Sequence, residues 1–478
     1  MKHFFYKGKD NLLAPTEGEA IEENIKIVKK EFSKVLESRN LSFLMGSGCS
    51  IGTNGIPTMI KLAESFFEPD ESLLKSMSPD LQKLVLSAES KKLLKEYGID
   101  HKSEPFIKNL ETFLGTLYSL RFYLEQIKDS AKLKSMDDLI DETKHFILYK
   151  CLNKDNEGKD GAILENYKNF YRKLSLRDSN LPKPNVFTTN YDLYSEKAMD
   201  ELGITYTNGF SGFIERYFNP SIFNYALAEQ MDISSFKWNV IDSFIYLFKI
   251  HGSVNWIEVE DSNKLFRIKE LQDSTFAFLQ DQKNLMIYPS PIKQNASLGT
   301  PYSDLFREFQ KRIARNQSVL VTMGYSFADE HINNLIYQAL TIPTFRLVIF
   351  SDMGYYLDGK YISTRENIEK LKNLNDPRIW IIGSNQEYQS TDVPEDQAAP
   401  GPEIAEAVAV GDVEKVQDRN NDKVPAMEEI GGGKGLFFFN TISHDLLPDW
   451  SENQIEDQNV KIIELLNRPI AKSEGDEA

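Results

Sequence analysis

Apolar residues recur at near-helical spacing between Ile21 and Ser38, at Ile21, Ile25, Ile27, Val28, Phe32, Val35 and Leu36. That spacing predicts an amphipathic helix. A short, mostly apolar run, Leu41–Met45, follows and stops at Gly46, as a buried strand entering a glycine turn would. Similar runs return at Asn185–Thr189, Phe244–Ile250, Leu285–Tyr288, Ser318–Met323, Arg346–Ser351 and Arg378–Ile382. Continuous apolar runs suit parallel strands covered on both faces. Helical periodicity lies between some of them, for example over Glu330–Leu340, so the fold class predicted is α/β with a doubly wound parallel sheet.

From about residue 60 to 177 the pattern changes to Leu, Lys and Glu at helical spacing, with helices predicted over Phe113–Ile127 and Met136–Leu152. This reads as a large helical insertion between the first and second strands. It should serve either as a packing module, or as a cover for the cleft or an oligomer interface. Residues 386–430 are rich in Glu, Asp, Ala and Pro and are expected to form a disordered acidic loop. A strand at Leu436–Phe439 and a helix near Gln454–Leu466 should then complete the domain over 431–467. Residues 468–478 should form a loose tail, and 1–385 form the main domain.

The 478 residues carry 55 Lys and Arg against 72 Asp and Glu, a net charge of −17. Between Tyr388 and Ile430 there are 3 basic and 11 acidic residues, so nearly half of the excess sits in that one segment. The acidity argues against direct nucleic-acid binding, which needs a basic footprint. No run of about 18 apolar residues exists to span a membrane, and Met1–Asp10 has no apolar stretch behind its lysines to make a signal peptide. Two cysteines, Cys49 and Cys151, with no CxxC pair, supply neither a disulfide framework nor a zinc cluster. No metal is therefore expected, and a reducing, cytoplasmic compartment fits.

Four strand ends carry candidate chemistry. Gly46-Ser47-Gly48-Cys49-Ser50, with Gly55-Ile56-Pro57 after it, follows the first strand. Such a turn lets backbone amides approach a pyrophosphate at a helix N-terminus. A short glycine pair also marks ordinary tight turns, and Ile51 stands where GxGxxG would place its last glycine. Thr188-Thr189-Asn190-Tyr191-Asp192 ends the second strand, where open α/β sheets bind ligands. One of these residues could instead be a helix cap. His251-Gly252-Ser253 ends the third, and a histidine there can act as a general base near neutral pH, although a lone histidine is more often structural. Gly324-Tyr325-Ser326-Phe327-Ala328-Asp329 repeats the strand-then-glycine pattern and leads into a helix that Asp329 could cap.

In this order and spacing the four motifs resemble those of the sirtuin superfamily, over roughly 41–62 and 185–383. The TTNYD and GYSF-x-D forms, and the missing zinc module, look most like the bacterial sirtuin-like proteins of anti-phage systems. Ser47 stands where sirtuins usually have alanine and Thr189 where they have glutamine. The resemblance implies a Rossmann-like domain that binds NAD⁺ and cleaves its nicotinamide–ribose bond. It implies that Asn190 positions a water and that His251 is the general base. Gly46, Ser47, Gly48 and Ser50 would hold the pyrophosphate, with Ile56 and Pro57 beside them. Thr188, Asn190 and Asp192 would serve the ribose and nicotinamide end, and Gly324 and Ser326 the adenosine half. It further implies a defence effector that forms homo-oligomers. The partner would be an ATPase such as a HerA-like translocase, an Argonaute-like protein or another sensor. Loss of the zinc module lowers the alternative of a protein deacylase or ADP-ribosyltransferase. The presence of both Asn190 and His251 lowers that of a non-catalytic nucleotide-sensing subunit.

Overall fold

The computed structural model describes residues 1–13, 20–67, 84–156, 158–178, 180–228, 241, 243–259, 267–282, 300–388 and 435–448. Seven strands make the parallel body of the main sheet, in the order β15-β12-β11-β3-β4-β8-β5. They are β3 (Asn40–Met45), β4 (Asn185–Thr188), β5 (Thr205–Thr207), β8 (Phe244–Lys249), β11 (Ser318–Met323), β12 (Arg346–Phe350) and β15 (Ile379–Tyr388). Alternate side chains of each strand enter opposite layers, because the strand repeat is two residues. Phe43, Met45, Val186, Leu247, Val321 and Trp380 join one core with Phe32 and Val35 of the helix Ala20–Leu36. Leu44, Phe187, Phe248, Leu320 and Ile381 join the other with Phe309 and Ile332 of the helices Tyr302–Ile313 and Glu330–Leu340. Both faces are covered, which is why these strands read as unbroken apolar runs.

The chain passes from β3 to its neighbour β4 and returns later to place β11 on the other side of β3. This reversal opens a crevice beyond the carboxyl ends of the central strands, the usual ligand position in open α/β sheets.

The predicted parallel strands agree with these within a residue or two, except that β15 runs on to Tyr388. Gln386–Tyr388 therefore belong to the sheet and not to the acidic loop. Gln386 is buried, so its backbone is satisfied by pairing with β13 (Gly354–Leu357). Unpredicted elements include β1 (Lys2–Lys7), antiparallel to β15, and a small four-stranded antiparallel sheet drawn from residues 210–270. The strand expected at Leu436–Phe439 is absent. Phe439–Thr441 is one helical turn continuing into a π-turn at Ile442–Leu446, and its Phe439, Ile442 and Leu446 bury against the core. The runs expected at Leu285–Tyr288 and Gln454–Leu466, the rest of the acidic loop beyond Tyr388, and the tail lie outside the described residues.

Helices between Met59 and Cys151 build a third core around Phe66, Phe67, Phe113 and Phe146, which Tyr191, Leu193, Val254, Leu271 and Leu279 of the main body also join. The helix Gly161–Ser175, by contrast, sends Tyr167, Phe170 and Leu174 into the main core beside Phe43. It is the covering helix of the β3–β4 crossover and not part of the inserted body, although it falls within the segment 60–177.

Candidate active site at the strand ends

The turns after β3 and β11 are locked together. Gly46 donates its N–H to Met323 O at 2.9 Å, and Gly48 to Gly324 O at 3.0 Å. A Cβ on Gly46 would lie 2.3 Å from Gly324 O, and one on Gly324 would lie 2.5 Å from Cys49 N. Gly324 also has φ +60°, the left-handed region. Gly324→Ala is expected to cost roughly 1–3 kcal/mol from the backbone conformation alone, with the overlap added. A melting temperature equal to the parent's would contradict this packing of loop on loop.

This geometry corrects the role expected of the glycines. The amides of Gly46 and Gly48 are engaged by the β11 turn, so they are not free to cradle a phosphate; glycine is required there by close approach of two backbones. Cys49 N–H and Ser50 N–H are likewise spent within the turn, on Gly46 O and Ser47 O. Ser47 is exposed toward the crevice.

Ser50 is buried, and its hydroxyl organises the second motif. It donates to Asp192 Oδ2 at 2.8 Å, accepts from Asn190 Nδ2 at 3.1 Å, and lies 2.8 Å from the Tyr167 hydroxyl. Thr188 Oγ1 accepts from Asn190 N–H at 3.0 Å, and Asp192 Oδ1 from Tyr194 N–H at 3.1 Å. Burial raises the Asp192 carboxyl above its ordinary range, against the charge of Lys249 and the Ser50 bond. Beneath this loop Lys249, fully buried at the end of β8, pairs with Glu196 at 2.9 Å. It donates to Asp192 O at 2.6 Å, Tyr191 O at 3.3 Å and Ser253 Oγ at 2.7 Å. One ammonium thus ties the TTNYD loop to the HGS loop.

His251 Nε2 lies 2.9 Å from Asp329 Oδ2. The other oxygen of Asp329 caps the helix Glu330–Leu340, accepting from His331 N–H at 2.8 Å and Ile332 N–H at 3.1 Å. Burial pulls the His251 pKa down, but the Asp329 bond and the charges of Glu111 and Asp329 outweigh it, so the net shift is up. Burial also pushes the Asp329 carboxyl upward, yet His251 and the two capping amides leave it below the usual range.

These loops line one cavity of about 1260 Å³, larger than the roughly 300–1,000 Å³ common for small-molecule sites. Gly46, Ser47, Ser50, Ile56, Pro57, Asn190, Asp192, His251, Gly324 and Ser326 all line it. Gly48 and Thr188 do not; each acts from behind, on Gly324 and Asn190. Asn109, Glu111, Thr112 and Cys151 of the inserted helices complete the wall. Sequence reasoning missed Glu111, Tyr167, Lys249 and the pairing of Asp329 with His251.

Residues 184–344 match the family model of the SIR2-like domain. The match covers about a third of the chain and shows a likeness to a SIR2-like domain over that segment. The match runs from β4 through the helix Glu330–Leu340 and so contains the TTNYD, HGS and GYSF-x-D motifs. A SIR2-like domain fits an NAD⁺-dependent activity of the sirtuin type. No curated protein matches the chain. Among the described residues no group of three or more His, Cys, Asp or Glu could hold a metal, and no helix is long and apolar enough to cross a membrane.

Proposed function

We propose that the protein is an NAD⁺ glycohydrolase that releases nicotinamide and ADP-ribose. The observation that carries the reading is that Asn190 and His251 line one cavity at the carboxyl ends of parallel strands. There Asn190 is held by Ser50, and His251 by a carboxylate. In this reading the dinucleotide lies across the strand ends, with its pyrophosphate on the Ser47 side of the first turn. Its ribose and nicotinamide lie between Asn190 and His251.

The nicotinamide–C1′ bond breaks with its electron pair leaving on the ring nitrogen, and water adds its oxygen to C1′. The released proton passes to His251 and then to solvent. Holding ribose and water in register lowers the barrier by orientation and by dipoles aimed at the developing cation. His251 must be neutral to act as the base, so activity falls on the acid side as pH drops through its raised pKa.

Water is preferred over a protein acceptor because the sequence has no CxxC pair for a zinc-bearing peptide module. Equal yields of nicotinamide and free ADP-ribose are the expected outcome of product analysis. ADP-ribose found covalently on protein, or O-acyl-ADP-ribose formed from an acylated peptide, would replace this reading by transferase or deacylase chemistry.

Uncontrolled NAD⁺ loss would harm a host cell, so a low basal rate and a rise on assembly belong to the same proposal, as does the defence role. A 100-fold rise needs only about 2.7 kcal/mol of bias between states. Turnover per site should increase along a concentration series, or when a HerA-like ATPase or other partner is added. Full activity at every dilution would remove the control element.

A further inference from the structure

The inserted helices reach into the cavity through a residue that the reading above does not use. Glu111 sits in the first turn of the helix Leu110–Ile127 and accepts the hydroxyl proton of Tyr191 at 2.7 Å through Oε1. Tyr191 lies between Asn190 and Asp192 in the TTNYD loop, and its ring centre is 6.5 Å from that of His251. Glu111 and His251 both line the cavity. An acidic residue in a first helical turn has an ordinary explanation, since it complements the helix dipole. That explanation accounts for a carboxylate facing solvent, not for one turned inward onto the loop of the proposed water-positioning residue.

We propose that Glu111 is a positioning residue of the active site, supplied by the insertion: it fixes the TTNYD loop through Tyr191 and brings a second carboxylate, besides Asp329, to the cavity that His251 lines. This rests on the glycohydrolase reading only for the meaning of His251, not for the arrangement itself. Asp329 bonds the imidazole from the helix cap, the Tyr191 ring of the β4 loop lies beside it, and Glu111 of the insertion holds the Tyr191 hydroxyl and acts on the imidazole through its charge. Glu330 and His331 also line the cavity. Burial raises the Glu111 carboxyl, and His251 and the Tyr191 hydroxyl oppose that shift. Whatever moves the inserted helices therefore changes both the charge beside His251 and the loop that carries Asn190.

The test reads His251 without requiring turnover. The full chain is treated with diethyl pyrocarbonate, which reacts with neutral imidazole, across a pH series. Modification of the His251 peptide is followed by mass spectrometry. In the parent the midpoint should lie above the ordinary histidine value of about 6.5. Removing a nearby negative charge removes a term that favours the imidazolium. Glu111→Gln and Asp329→Asn should each therefore move the midpoint to lower pH, while the exposed Glu104→Gln leaves it unchanged. If the enzyme turns over NAD⁺, kcat in Glu111→Gln should fall on the order of tenfold, and the acid limb of kcat/KM should follow the chemical midpoint. A Glu111→Gln midpoint equal to the parent's in folded protein overturns the proposal. A shifted midpoint with no NAD⁺ cleavage in any form supports it and overturns the glycohydrolase reading instead.

Discussion

His251→Ala and Asn190→Ala are each expected to lose about 10²–10⁴-fold in NAD⁺ turnover, the usual cost of removing a positioned acid, base or orienting group, while keeping the parent's melting temperature within a few degrees. Neither residue is a keystone of a core. The His251 imidazole is hydrogen-bonded to Asp329, whose cap on the helix Glu330–Leu340 uses the other carboxylate oxygen and survives the change. Asn190 donates to Ser50, and the Ser50–Asp192 bond remains when that donor is lost. Folded His251→Ala protein with near-parent turnover would remove the histidine from the mechanism; the same result for Asn190→Ala would remove the asparagine.

The second large effect concerns stability. Lys249→Ala is expected to cost about 3–5 kcal/mol, because breaking a buried ion pair leaves its partner charge uncompensated. The partner is Glu196, with 10% side-chain exposure. The ammonium also serves two carbonyls of the TTNYD loop and the Ser253 hydroxyl, none of which alanine can reach. Removing both charges, as Lys249→Met with Glu196→Gln, should cost less than Lys249→Ala, since no lone charge remains. Urea unfolding midpoints of the single and double variants decide this. A loss under about 1 kcal/mol, the scale of an exposed pair, would show that Lys249 does not hold the two loops together.

The parallel body of the fold is legible in the sequence because each strand is buried on both faces. Leu320 and Val321 must both be apolar when one enters each core. The edges are less legible. Residues Lys2–Lys7 place charges at both ends of a short strand, and the strands of the small sheet are two or three residues long, too short to show a period of two. Helical periodicity over 60–177 does not say which core each apolar face meets, so the segment holding the helix Gly161–Ser175 reads as part of the insertion although its Tyr167, Phe170 and Leu174 join the main core.

The site divides in the same way. Each motif is contiguous and sits at a strand end, so Asn190, His251 and the glycine turns were visible. The partners that hold them are distant: Asp329 is 78 positions from His251, Glu111 is 80 from Tyr191, and Tyr167 is 117 from Ser50. No local spacing reports such pairs. The glycines of the first turn show the converse. Their presence was legible, but the reason for them, contact with the turn of β11, appears only when the two strands are side by side.

The central claim is that this cavity opens NAD⁺ with water. The most direct measurement places purified full-length protein in excess over NAD⁺, so that even a slow basal rate yields product, and quantifies nicotinamide and ADP-ribose with time. The account predicts their formation in equal amounts by the parent, and none above background by His251→Ala. Intact NAD⁺ after prolonged incubation with folded parent protein, or equal product from the parent and His251→Ala, would contradict it.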